Sequence, residues 1–340
     1  MRKYFFALTL LLCSLTAMAQ ERKDTVVITL RNGTEVRYTS DKFDRVQIIY
    51  NLRYGVKVYL KNGKSKDYLA TEVRIAKYQS GGEVVADNNR NRNLYRAKLL
   101  EYPHLDEDST MNQLIIKSTP EFGITYSAEW SYRDKANRWS CYQMYKNMLD
   151  TASRNNDFYE DEEIPEQYRS KLADYKSSGF SRGHLCPSAD RRCSDDQNKQ
   201  TFFLSNIQPQ WQNHNGVLWS NFEKKVRDWA DICDTLYVVK AATIRSDQVY
   251  EEKCNGKLLV PRYFYMALLA YYKETDKYEA MALWTVHEDK SVTGADFKDY
   301  AISIDELEEL TGIDFFCNLP DDIEDEVERE CHKDKWKLPE

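Results

Sequence analysis

The 340-residue chain has no Cys-x-x-Cys pair and no His-x-x-x-His spacing, so its eight cysteines and five histidines are not expected to build a structural zinc site. It has no apolar run at its amino terminus of the roughly 18 to 20 residues a membrane-spanning helix needs. The stretch from Tyr4 to Leu15 falls short. It carries no excess of base, with a formal net charge of −7, which at first argues against a polyanionic ligand. No glycine-flanked nucleophile elbow surrounds Ser181, and that excludes a serine hydrolase built on Ser181 and His184.

Arg2 and Lys3, the apolar run, and Ala17-Met18-Ala19 before Gln20 form a secretory signal over residues 1–19, with a small-x-small cleavage site. A lipid anchor at Cys13 is disfavoured because Leu12, not a small residue, precedes it. The mature chain is therefore expected to be exported, periplasmic or extracellular, with no stable membrane span. Losing the signal takes the charge to −9, yet Asp305 to Cys331 alone holds twelve acids against one base. The rest of the mature chain is then close to neutral, at about +2, and Glu166 to Arg245 is mildly basic. That balance suits transient, salt-sensitive contact with phosphates. Seven cysteines remain, so at least one thiol is free or paired between chains. Cys186 and Cys193 could equally form a loop-closing disulfide or stay as buried thiols.

The most informative stretch is Gly179 to Arg227. From Asn215 the apolar residues Trp219, Phe222, Val226 and Trp229 recur at three- and four-residue intervals, the stripe of an amphipathic helix facing a core. Glu223 and Arg227 flank that stripe, and Asn215 stands at its amino-terminal end. Asn215 and Glu223 are hard oxygen donors of the kind Mg²⁺ takes while keeping several waters. His184, after the flexible Gly183, could approach from an opposite strand and take a proton from water. The spacing predicts strand, loop, strand, then helix, with the apolar Thr201 to Ile207 between the two clusters.

Arg182-Gly183-His184, Ser205-Asn206, Pro209-Gln210, and Asn215, Trp219, Glu223 and Arg227 at four-residue steps resemble the core of the DNA/RNA non-specific endonucleases, the ββα-metal nucleases. The resemblance covers roughly Glu101 to Glu330 and is specific only in this central stretch. It implies an α+β fold, with a mixed or antiparallel sheet core carrying a ββα-metal motif, and hydrolysis of DNA and RNA with Mg²⁺ or Mn²⁺. In that reading His184 is the general base and Asn215 the metal ligand. Glu223 orders metal-bound water, Arg182 and Arg227 neutralise charge on the pentacoordinate phosphate, Asn206 supports the site geometry and Trp219 is core. His104, His214, His287 and His332 are read as structural. Three departures stand out: Ser181 where the family has Asp, Lys240-Ala241-Ala242 in place of glycines, and Met266 where a lysine is common. They leave a catalytically impaired nucleic-acid-binding relative as one alternative, and a phosphodiesterase acting on another phosphate ester, which the same metal and base would serve, is a second. The oligomeric state is left open.

Around this core, the repeated ITLRNGTEVRY and VYLKNGKSKDY predict two β-hairpins in a small β-rich accessory module over residues 20–78. Residues 79–93 read as a linker, 94–332 as the nuclease domain and 333–340 as a tail. Strand starts are expected at Glu101-Tyr102-Pro103, Leu114 to Ile116 and Tyr126 to Trp130, and a helix over Pro165 to Tyr175. Thr235 to Ala242 and Leu258 to Tyr272 read as buried strands. Ser303 to Glu306 is a capping box that opens a helix closed by Gly312.

Overall fold

The computed structural model describes residues 25–336 except 33, 52–53, 70–71, 80–89, 92–96 and 107–109. The expected signal, most of the expected linker and the end of the tail lie outside these residues. At the amino terminus, β1 (Thr25–Leu30), β2 (Glu35–Thr39), β3 (Phe43–Asn51), β4 (Tyr54–Leu60), β5 (Ser65–Tyr68) and β6 (Val73–Gln79) form two antiparallel sheets, ordered β2-β1-β6 and β3-β4-β5. Both expected hairpins are present, as β1–β2 and β4–β5. The second turns at Gly63, whose φ of +79° lies where glycine alone is unstrained. Side chains two apart, Val26 with Ile28 and Val56 with Val58, enter one buried cluster closed by the Tyr38 and Tyr68 hydroxyls, 2.6 Å apart.

Beyond it run β7 (Asn112–Thr119), β8 (Gly123–Ser131), β9 (Ala136–Met144), α1 (Leu172–Tyr175), β10 (Ser181–His184), α2 (Asp195–Gln200), β11 (Ile207–Gln210) and α3 (Ser220–Ala230). They are followed by β12 (Thr235–Ala242), β13 (Val249–Cys254), β14 (Leu258–Pro261), β15 (Tyr263–Tyr272), β16 (Lys277–Val286), β17 (Ala301–Ile302), α4 (Ile304–Thr311) and α5 (Asp321–Arg329). Seven strands pair antiparallel in the order β17-β16-β15-β12-β9-β8-β7. Strand alternation sorts β15 between two cores. Phe264, Met266 and Leu268 join Phe222, Val226 and Trp229 of α3, while Tyr265, Ala267 and Leu269 join Ile304 and Leu307 of α4. The sheet is thus the middle of three layers, and the fold is α+β. Each fully buried aromatic or branched side chain on α3 holds that helix to the sheet by about 1.5 to 3 kcal/mol.

Several local expectations are corrected. Glu101 lies in a turn, not a strand, and its buried carboxylate accepts a bond of 3.0 Å from Gln143. Pro165 to Tyr175 forms only a 3-10 turn over Glu166–Tyr168 and the single turn α1, because four-residue segments gain too few bonds to propagate. The second strand of the motif begins at Ile207, after a 3-10 turn at Leu204–Asn206, rather than spanning the preceding apolar run. Leu258 to Tyr272 is split into β14 and β15. Cys186, Cys193 and the other five described cysteines are free thiols. Among the described residues no helix is long and apolar enough to cross a membrane. Arg90 and Asn91, at the end of the expected linker, bond to the nuclease body, with Asn91 buried against Pro103 and Cys317.

Candidate active site

β10 and β11 pair with Gly183 opposite Gln208 and His184 opposite Ile207. A Cβ on Gly183 would fall 2.1 Å from Gln210 Oε1 and 2.8 Å from Gln210 Cβ, so glycine is what lets the two strands close. Gln210 is itself fixed, its Nε2 2.7 Å from His214 Nδ1, and His214 Nε2 lies 3.1 Å from Thr285 Oγ1. His287 donates through Nδ1 to the Pro261 carbonyl and accepts from the Trp211 N–H through Nε2, at 2.6 and 2.7 Å. Burial lowers the pKa of His214 to about 3 and that of His287 to about 4, so both stay neutral and anchor the turn that follows β11.

His184, at the end of β10, is 9 % exposed and packs between the rings of Phe158 and Phe202. Burial first, then the charges of Arg154 and Arg182, lower its pKa to about 3. Its Nε2 is buried and has no hydrogen-bond partner among the described residues, an unmade bond that a native core seldom leaves. The chain beyond His184 is held by Asn206, whose side chain is fully spent. Its Nδ2 donates to the carbonyls of Cys186 and Thr201, and its Oδ1 accepts from the Cys186 N–H and the Ser140 hydroxyl. Asn206 therefore positions the loop and has no bond left for a substrate. Arg182 stacks 4.0 Å from the Phe158 ring and, with Asn215, Ser181, Gln212 and Phe180, lines an open cleft of about 830 Å³. The Ser181 hydroxyl donates to Gln212 Oε1 at 2.5 Å, a local bond where the family's Asp would place a charge.

Asn215 does not open an α-helix as expected. It lies in a π-helical turn, His214–Trp219, that continues into α3. Such widened turns cluster at functional sites. The expected stripe survives, since Trp219, Phe222, Val226 and Trp229 are all buried. On the flank of α3, Arg227 donates to Asp190 Oδ1 at 2.9 Å. Asp190 Oδ2 accepts from the Tyr142 hydroxyl at 2.7 Å and lies 3.6 Å from the fully buried Lys240 Nζ, which makes no hydrogen bond among the described residues. Glu223, beside this cluster, accepts no hydrogen bond and makes no ion pair among the described residues. Burial raises its pKa to about 7; Lys240 opposes that rise and Asp190 reinforces it.

The family model for DNA/RNA non-specific endonucleases matches residues 109–322. The chain belongs to that family. The endonuclease is 28 % identical over 224 residues to "Nuclease" of Nostoc sp., covering 64 % of this chain and 78 % of that protein. It is 28 % identical over 207 residues to "Nuclease C1" of Cunninghamella echinulata, covering 57 % and 81 %. With mitochondrial endonuclease G of Bos taurus it shares 36 % identity over 106 residues, 31 % of this chain and 30 % of that one. The crystal structure of the EndoG/EndoGI complex superposes with a TM-score of 0.54 at 21 % identity, over 61 % of this chain and 88 % of that chain, a likeness of fold.

Sequence reasoning missed three charged residues near the candidate site. Asp190 joins Arg227 to Lys240 from the loop after His184. Lys240 is the strand partner of Met266, so an ammonium stands on β12 directly opposite the position where a lysine was expected on β15. In sequence it was visible only as a departure from the family's glycines. Arg154 is exposed, its guanidinium 5.1 Å from the Phe202 ring, and its charge lowers the pKa of both His184 and Glu223. Nothing in the residues around it marks Arg154 in the sequence.

Proposed function

We propose that this hydrolase is an exported, metal-dependent endonuclease that cuts DNA and RNA with little sequence preference, using His184 as general base. The observation that carries the proposal is the buried, unpartnered Nε2 of a histidine held neutral by its surroundings. That nitrogen is free to accept a proton from an attacking water.

Mg²⁺ or Mn²⁺ fits the residues present. Asn215 lines the cleft, and the Glu223 carboxylate makes no ion pair among the described residues, so both offer hard oxygens of the kind these ions and their waters take. Asn215 would hold the ion, with Glu223 ordering the water around it; when bound, the ion supplies Lewis-acid stabilisation of charge at the phosphate and its departing oxygen. Arg182 and Arg154, both adjacent to His184, are suited to hold the non-bridging oxygens. A phosphodiester anion between them offsets the two charges that depress His184, and so makes the imidazole a stronger base as substrate binds. Arg227, paired with Asp190 beside Glu223, would join Arg182 in neutralising charge on the pentacoordinate phosphate. Because these groups meet phosphate rather than base edges, they do not read sequence. Export rests on residues 1–19 alone.

The reading is tested by incubating the mature protein with supercoiled plasmid and with single-stranded RNA, in Mg²⁺, Mn²⁺ or chelator. Cleavage of both substrates only with metal supports it. Cleavage of a small chromogenic diester that DNA does not inhibit would instead favour a phosphodiesterase acting on another ester.

A further inference from the structure

On the sheet face opposite α3, Ile304 and Leu307 of α4 pack with Tyr265, Leu269 and Phe315. Three carboxylates meet at the edge of this cap. Asp305 and Glu308 lie three residues apart on α4, hence on one flank, and Glu328 is in the last turn of α5. One side-chain oxygen from each lies within 4.8 Å of the other two. Glu308 is oriented by the Phe315 N–H, which donates to its Oε1 at 2.7 Å. Glu328 is 5 % exposed, and its Oε1 is buried without a hydrogen-bond partner among the described residues. A carboxylate oxygen buried and left unbonded against two more carboxylates calls for a cation.

We infer that Asp305, Glu308 and Glu328 form a binding site for a hard divalent cation with the coordination chemistry of Ca²⁺, which ties α4 to α5. The spacing allows it: oxygens bound at roughly 2.3 to 2.6 Å from one ion stand at most about 5 Å apart. The electrostatics agree. Burial first, then Glu308, Glu324, Asp314 and Asp305, raise Glu328 to about 10, while burial, with Asp314 and Asp305 and against the Phe315 N–H, raises Glu308 to about 8. Without an ion these carboxyls take up protons on folding; a bound cation replaces the protons.

The test is thermal unfolding of the full chain at pH 8, in EGTA and with CaCl₂, alongside calorimetric titration of Ca²⁺. Wild type, Glu328→Gln, Asp305→Asn and Asn215→Ala are compared. Wild type and Asn215→Ala should each bind one Ca²⁺ at this site and gain about 5 °C at a roughly hundredfold excess over Kd. Both cap variants should lose that gain. In EGTA, Glu328→Gln should melt no lower than wild type, which separates loss of the ion from loss of the fold. No calcium-dependent shift in wild type, an equal shift in the cap variants, or a shift lost only in Asn215→Ala overturns the inference.

Discussion

His184 is buried between Phe158 and Phe202 with Arg154 and Arg182 nearby, so the free enzyme presents a neutral imidazole whose base strength depends on those two cations. Arg154→Ala is expected to raise the His184 pKa, because the removed charge is one that lowers it, and to reduce kcat/KM by about 10²-fold. Titration of the His184 ring by NMR, together with steady-state kinetics, checks both. An unmoved His184 pKa would contradict the placement of Arg154 beside it. Of the residues of the candidate site, His184, Asn215, Glu223 and Arg227 stand out in the sequence because they sit in one stretch with chemical spacing. Arg154, Asp190 and Lys240 do not, since each is a lone charge brought in by tertiary packing, with no local pattern to announce it.

At the scale of elements, the β10–β11 pair depends on the missing Cβ at Gly183. Gly183→Ala should destabilise the fold by about 1 to 3 kcal/mol and lower activity by tilting His184, measured by urea unfolding and by kcat. Strands β12 and β15 carry a second prediction. Lys240→Met should destabilise by about 2 kcal/mol, because Asp190 loses one of its two cations. Adding Met266→Lys should recover part of both stability and activity, since the new ammonium starts from the directly opposed position on the neighbouring strand. The strands at Leu114–Ile116, Tyr126–Trp130 and Thr235–Ala242, the α3 stripe and the Ser303–Gly312 helix were legible from periodicity and caps, as their two- and 3.6-residue repeats agree with the layers they pack in. The π turn at His214–Trp219 was not, because its wider hydrogen bonding leaves the spacing of apolar residues almost unchanged. The region Pro165 to Tyr175 has helical composition but no long apolar face, and packing left it as short turns.

Across the whole molecule, buried titratable groups set opposing trends with pH. His184, His214 and His287 have folded pKa values of about 3, 3 and 4 against an ordinary 6.5. Below pH 6.5 the unfolded chain binds protons these residues cannot, so their contribution to stability falls as pH drops toward 4. Glu101, Glu223, Glu308 and Glu328 are raised to about 7, 7, 8 and 10 from 4.5. They favour the folded state at low pH and lose that contribution as pH rises through those values. The two trends offset each other between about 4.5 and 6.5, so in chelator the melting temperature should peak there and decline toward pH 8. A scan of thermal unfolding against pH checks it. The measurement that bears most directly on the account is cleavage of supercoiled plasmid and single-stranded RNA by wild type and His184→Ala, with saturating Mg²⁺ and with chelator. Metal-dependent cleavage of both substrates by wild type, lowered about 10² to 10⁴-fold in a variant that melts like wild type, is the expected result. Undiminished cleavage by His184→Ala would contradict it.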